Sequence, residues 1–127
     1  MNVNALQEFF WHESQRPQKF GVVDCVQFVT EAVWVGWCRD FRDVLGYYDR
    51  ASAVRRLREL GGLKAACDFA MGDRFPVEEL EPGDVVWFDD PKTLGLLMPG
   101  YVAVKLGKRI DRYRIEPGMI GWKTNGR

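Results

Sequence analysis

The chain has 127 residues, of which 46% are hydrophobic and 28% charged. That is the size and balance of one globular domain, long enough to bury a core without disulfide or metal staples, and it rules out a disordered chain. Eighteen basic residues cancel eighteen acidic ones, which speaks against a nucleic-acid binder, whose footprint is usually a clear basic excess.

The elements read as helices first and strands second. That order predicts an α+β domain spanning residues 1–127, with N-terminal helices packed on a C-terminal antiparallel sheet. The first helix is expected from about Ala5 to about Gln15, capped by Asn4 with Gln7 as its capping-box partner. Leu6, Phe9, Phe10 and Glu13 share its inner face, and Arg16-Pro17 ends it. Phe20-Gly21-Val22-Val23 is a short approach. Asp24 has the character of an N-cap, with Gln27 three residues on. Cys25, Phe28, Val29, Ala32, Val33 and Gly36 then recur at helical spacing. Val26, Trp34, Val35 and Trp37 make this second helix apolar nearly all round, the mark of a central helix.

A third helix starts at Asp49 or Ser52, runs through Val54, Leu57 and Leu60, and stops at Gly61-Gly62. A fourth covers Leu63 to Met71, and Phe75 to Leu80 is read as one more turn. Glu81-Pro82-Gly83-Asp84 is a turn signal. Strands are expected at Val85–Phe88, at Tyr101–Leu106 with Val102, Val104 and Leu106 on one face, and at Arg109–Ile115 beyond a tight Gly107-Lys108 turn. A fourth, Met119–Thr124, closes the sheet.

No run of eighteen apolar residues marks a membrane span. MNVNALQEFF lacks the basic start and apolar core of a signal peptide. Three cysteines, Cys25, Cys38 and Cys67, with no paired spacing fit free thiols in a reducing compartment. Cys38 and Cys67 read as buried thiols. No CxxC or HxxxH element anchors zinc, no phosphate loop or dinucleotide fingerprint is present, and no cofactor is expected.

The chemistry centres on Cys25. A helix start carries partial positive charge and unpaired N–H groups, which stabilise a thiolate and can hold a developing oxyanion. Two readings stand side by side: a poised nucleophile, or a small hydrophobe on an apolar stripe. The chain has one histidine, His12, which falls off the centre of the first helix's apolar face and reads as a surface residue. Asp89 and Asp90 are a second candidate base pair or a solvated strand end. Arg55, Arg56 and Arg58 read as a solvated helix face. Lys108, Arg109, Arg112 and Arg114 read as protection of a sheet edge. Trp34, Trp37, Phe41, Tyr47 and Tyr48 form an aromatic stretch, mostly core, any exposed part of which suits a protein partner.

Phe20-Gly21-Val22-Val23-Asp24-Cys25-Val26-Gln27-Phe28-Val29, then Pro82-Gly83-Asp84-Val85-Val86-Trp87-Phe88, then Tyr101-Val102-Ala103-Val104-Lys105-Leu106-Gly107, resembles the NlpC-type cysteine peptidases, which have a papain-like fold. More closely it resembles an uncharacterised branch of that superfamily found in phages and prophages, often among tail genes. Gly46-Tyr47, Gly61-Gly62-Leu63 and Trp122 match that branch in order, and the resemblance spans about residues 16–124. It implies Cys25 as the nucleophile position and Asp24 as the cap beside it. The superfamily's general-base histidine opens the second strand, in a segment of the type His-Val-Gly-Ile-Tyr-Leu-Gly, and that position is read here as Tyr101. The polar residue that steadies the histidine falls near Asp111 to Tyr113.

A phenol with an ordinary pKa of about 10 is a poor base at neutral pH, and losing a dyad partner costs several powers of ten in rate. The expectation is therefore a phage or prophage tail-associated NlpC-like protein, inactive or impaired, acting by binding to tail proteins or cell-wall peptides. The expected location is the host cytoplasm on synthesis, with the virion tail as a second location. Two alternatives stay open: an active thiol hydrolase cutting amide bonds of peptidoglycan peptides, and a non-enzymatic assembly factor with Cys25 as core packing.

Overall fold

The computed structural model describes residues 1–15, 22–40, 50–90, 92–107 and 109–125. Among the described residues four helices lead: α1 (Val3–Glu13), α2 (Val22–Trp37), α3 (Arg50–Leu60) and α4 (Leu63–Met71). Six strands follow: β1 (Arg74–Pro76), β2 (Val85–Asp89), β3 (Lys92–Met98), β4 (Tyr101–Leu106), β5 (Arg109–Tyr113) and β6 (Ile120–Trp122). The expected α+β order, helices then antiparallel sheet, is what the chain adopts. The strands lie in one sheet in the order β1-β6-β2-β3-β4-β5, and every neighbouring pair is antiparallel.

Several boundaries differ from expectation, each for a local reason. Asn2, not Asn4, caps α1, because its Oδ1 accepts from the Ala5 N–H at 3.1 Å. The helix ends at Glu13, before Arg16-Pro17, which lies outside the described residues. Helix α2 already includes Val22 and Val23, so Asp24 is its third residue rather than the cap before it. Helix α3 runs from Arg50 with Ser52 inside it. Phe20, Gly21, Phe41, Gly46, Tyr47, Tyr48, Asp49 and Lys108 lie outside the described residues. The turn expected over Phe75–Leu80 splits into β1 and a 3-10 turn, Val77–Glu79. Cys38 is exposed rather than buried: it follows the last turn of α2 with φ +56°, its N–H donating to the Trp34 carbonyl. Trp34 is exposed and Trp37 half-buried.

The largest departure is β3, to which no element was assigned. Its residues Thr93 to Met98 are all buried, so the run carries no polar alternation to announce a strand. It sits between β2 and β4, with Trp87 opposite Leu94, Leu96 opposite Ala103, and Met98 opposite Tyr101. Strand β6 does not close an edge. It is inserted between β1 and β2.

The pleat sorts side chains into two apolar layers. Val85, Trp87, Leu94, Leu96, Met98, Ala103 and Trp122 face the helices and meet Leu6, Cys25, Phe28, Val29, Ala32 and Val33. Val86, Phe88, Leu97, Val102 and Val104 face the other way, onto Val77, Leu80 and Met119. The expected common face of Val102, Val104 and Leu106 is this second layer. Strand β5 is the sheet edge, as its arginines suggest.

Asp84 ties the strands together. It is fully buried, its Oδ2 accepts from the Glu81 N–H at 2.8 Å, and its Oδ1 accepts from the Thr124 N–H at 3.0 Å. The Thr124 hydroxyl in turn donates to the Gly83 carbonyl at 2.8 Å. Gly83 itself has φ +99°, and a side chain there would stand 2.7 Å from the Trp37 ring. Where β6 crosses β2, a Cβ on Gly121 would lie 2.1 Å from the Val85 carbonyl oxygen.

Two measurements test this arrangement. Gly121→Ala forces backbone against backbone and should cost at least about 2–3 kcal/mol in urea denaturation; wild-type stability would show that β6 is not clamped. Asp68 on α4 receives Arg74 Nε and Nη2 at 3.1 and 2.9 Å and the Trp122 indole N–H at 2.9 Å. The Arg74 guanidinium, and then the Trp122 N–H, hold its carboxyl below the usual range. A folded-state pKa below the unfolded value of about 3.9 stabilises the fold above that value, and the contribution is lost as pH falls through the folded pKa. Asp68→Asn should therefore lower stability at neutral pH and flatten its fall in acid, followed by thermal melts from about pH 7 to about pH 3. Parallel pH profiles would remove Asp68 from the account.

Candidate functional site

Helix α2 positions the site because its apolar stripe has to be buried. Its main partner is β3, with β4 beside it. Cys25, the fourth residue of α2, is therefore carried into the helix-facing layer, where the residue is 1% exposed. Its companions there include Leu94, Leu96, Ala103 and a second thiol, Cys67 of α4. Burial pushes the Cys67 thiol well up, the nearby Cys25 sulfur and Asp68 add to this, and Arg74 opposes it. Cys67 is thus held as a protonated, inert thiol. The exposed cysteine is Cys38.

Tyr101 opens β4, half-buried, and packs against the same layer as Cys25. The Arg112 guanidinium stands 4.8 Å over its ring. The sequence reading takes Tyr101 as the start of the strand next after Val85–Phe88, but β3 intervenes, so Tyr101 opens β4. Strand β3 opens with Lys92 and Thr93. Thr93 is in step with Gly95 and Leu97, on the layer away from Cys25, whereas Tyr101 is in step with Ala103 on the layer that holds it. At either strand opening the residue is not an imidazole.

The other sequence-derived candidates lie elsewhere. The His12 side chain is 64% exposed and its Nε2 pairs with Glu8 at 3.8 Å. Asp111 pairs with Arg109 at 3.1 Å, and Tyr113 packs on Phe88 in the second layer, ring centroids 5.1 Å apart. Asp89 and Asp90 are exposed at the end of β2. Among the described residues no group of three or more histidine, cysteine or acidic side chains is placed to hold a metal ion. No helix there is long and apolar enough to cross a membrane.

The polar feature that the sequence reading missed is an ion pair. Lys105 of β4 and Glu13 of α1 meet at 2.5 Å with side chains only 2% and 7% exposed. Its place follows from helix packing. Asn2 N–H donates to the Gly36 carbonyl at 2.8 Å, and Phe9 and Phe10 lie 5.9 and 5.8 Å from Phe28, so α1 runs antiparallel to α2. Glu13 lies one turn beyond Phe10, and Cys25 one turn before Phe28, each about 4.5 Å along its helix axis. The buried pair thus closes the same end of the helix layer at which Cys25 sits. The signal was present in the sequence: Glu13 lies on the apolar stripe of α1, and Lys105 alternates with Tyr101 and Ala103. One inward charge on each of two elements points to a pair.

Chemically, the arrangement offers a thiol in a dry layer, a phenol on the same face and a neutralised ion pair at its end. The chain's only imidazole stands in solvent. Removing one partner of a buried pair leaves an uncompensated charge, whereas replacing both by apolar groups is often neutral. Glu13→Gln or Lys105→Met alone should cost about 3–5 kcal/mol in chemical denaturation, while the double change Glu13→Leu/Lys105→Met should recover most of it. A double variant as unstable as the two single losses combined would refute the pairing.

A family model described as a domain of unknown function matches residues 3–123. No curated protein and no solved structure matches the chain. The match takes in all four helices and all six strands, and the chain belongs to this family, DUF6950.

Proposed function

We propose that this chain is an NlpC-type, papain-like domain of phage or prophage tail association that acts by binding and not by hydrolysis. The observation that carries the reading is the state of Cys25: 1% exposed, while His12, the one histidine, is exposed and engaged with Glu8. A cysteine hydrolase needs a base within hydrogen-bond reach of its thiol and an acid for the leaving amine. The polar side chain on Cys25's own face at a strand opening is the phenol of Tyr101. The kinship itself rests on motif order, to which the helix-on-antiparallel-sheet architecture and the buried Gly83-Asp84 turn add support. Candidate partners are tail proteins and cell-wall peptides.

A second reading, a plain assembly factor with Cys25 as core packing, is favoured by the apolar company of that residue. It shares the prediction of an inert thiol and differs only in denying the kinship.

Alkylation of the native protein followed by mass, from about pH 6 to about pH 9, should label Cys38 at once. Cys25 and Cys67 should react only as fast as the core opens. Purified cell walls incubated with the wild type should release no more peptide than with Cys25→Ala. Fast labelling of Cys25 in mild acid, or peptide release that disappears in Cys25→Ala, would overturn the reading in favour of a working hydrolase.

A further inference from the structure

At the end of β2 an open cavity of about 470 Å³ lies between Trp87, the start of α4 and the segment leading into β6. It is an open, predominantly polar hollow whose lining includes Trp87, Lys64 and the carboxylates of Asp89, Asp90 and Glu116. Trp87 is 8% exposed and belongs to the helix-facing core layer, and a cation stands over its ring at the cavity. Lys64 Nζ stands 5.0 Å from the ring centroid and 3.8 Å from Asp89 Oδ1. The indole is fixed edge-on by its N–H donating to the same Asp89 Oδ1 at 2.7 Å. Ring and carboxylate together make a cation seat, which the protein fills with its own ammonium.

The charge around the seat is not balanced. Asp89, Asp90 and Glu116 line the cavity against the single ammonium of Lys64. No ion pair with a described residue neutralises Asp90 or Glu116. Lys64 is held by the exposed Asp89 carboxylate and the Trp87 ring face, with Asp68 near enough to feel its charge, and an exposed pair of this kind contributes little. The cavity can therefore take a second cation beside Lys64 or in its place.

We infer that this cavity binds the basic side chains of a lysine- or arginine-bearing peptide segment, with Trp87 as the seat, Asp89, Asp90 and Glu116 as its counter-charges, and Lys64 as a built-in competitor. The site goes beyond the binding role proposed above and does not draw on Cys25. An acidic or neutral segment finds no complement there.

The test is calorimetric titration of the full chain with N-acetyl-tetralysine amide, with the tetraglutamate analogue as control, at low ionic strength where exposed charges are least screened. Asp89→Asn keeps an oxygen for the Trp87 N–H and removes only the charge. It and Glu116→Gln should each weaken tetralysine binding about fivefold. Lys64→Met should strengthen binding about fivefold, by removing the internal competitor. Arg109→Gln, the same change in net charge placed on the outer strand β5, should leave binding within about twofold. All four positions are at the surface, and thermal melts confirm that each variant is folded. The inference fails if tetralysine does not bind, if tetraglutamate binds as well, if Asp89→Asn and Glu116→Gln bind like the wild type, or if Lys64→Met binds no tighter than Arg109→Gln.

Discussion

The packing of α2 on β3 is the constraint from which the remaining features follow. Helix α2 gives water only a narrow side at Gln27, Thr30, Glu31 and Trp34, so its broad apolar stripe must lie against an apolar surface. Strand β3 supplies that surface through Leu94, Leu96 and Met98. A strand in the middle of a sheet still has a second face, and here Leu97 turns to Val86, Val102 and the Val77–Leu80 segment. Gly95, on that second face, leaves room for the neighbours: a side chain there would meet Val102 at 2.6 Å and Phe88 at 2.9 Å. Burial on both faces makes the centre of the sheet rigid, and whatever α2 carries on its stripe is sealed with it. Cys25 is on that stripe.

The Gly83-Asp84 pair shows how a short motif can be structural and still look functional. The sequence marks Glu81-Pro82-Gly83-Asp84 as a turn, with an acid directly before a strand. The carboxylate is consumed by the backbone, one oxygen taking the Glu81 N–H and the other the Thr124 N–H. Arg39 Nη1 completes the arrangement from just beyond the end of α2 by donating to the Thr124 hydroxyl at 2.8 Å. The knot joins the turn before β2 to the chain after β6 and brings the end of α2 against both.

Much of this was legible from the residues, and what was not shares one cause. Helices α1 to α4, strands β2, β4 and β5, and the inward stripe of α2 are written in periodicity. The hidden elements are those whose periodicity is erased by burial or brevity. Strand β3 is apolar on both faces and interrupted by a glycine, so no pattern of period two survives. Strand β1 is three residues long and exists only because β6 pairs with it. The partners of long-range contacts are equally silent. Glu13 and Lys105 are 92 residues apart, and each alone reads as a charge on the wrong face. Only their coincidence at the end of the helix layer explains both. Cys38 was misread because its exposure depends on where α2 stops, a boundary fixed by local backbone geometry rather than by side-chain pattern.

The site presents a conflict between two uses of one position. A nucleophilic thiolate needs a polar, partly exposed surrounding, whereas the fourth residue of a central helix needs apolar contact. In this chain the residue is 1% exposed and lies in the helix-facing apolar layer together with another buried thiol, Cys67. The charges that the layer does contain, Glu13 and Lys105, neutralise each other at its end. Such a pair gives little net stability over apolar replacements, but it rewards only one docking of α1 on β4, since any slip buries two separate charges. The pair thus acts on the register of α1 against β4.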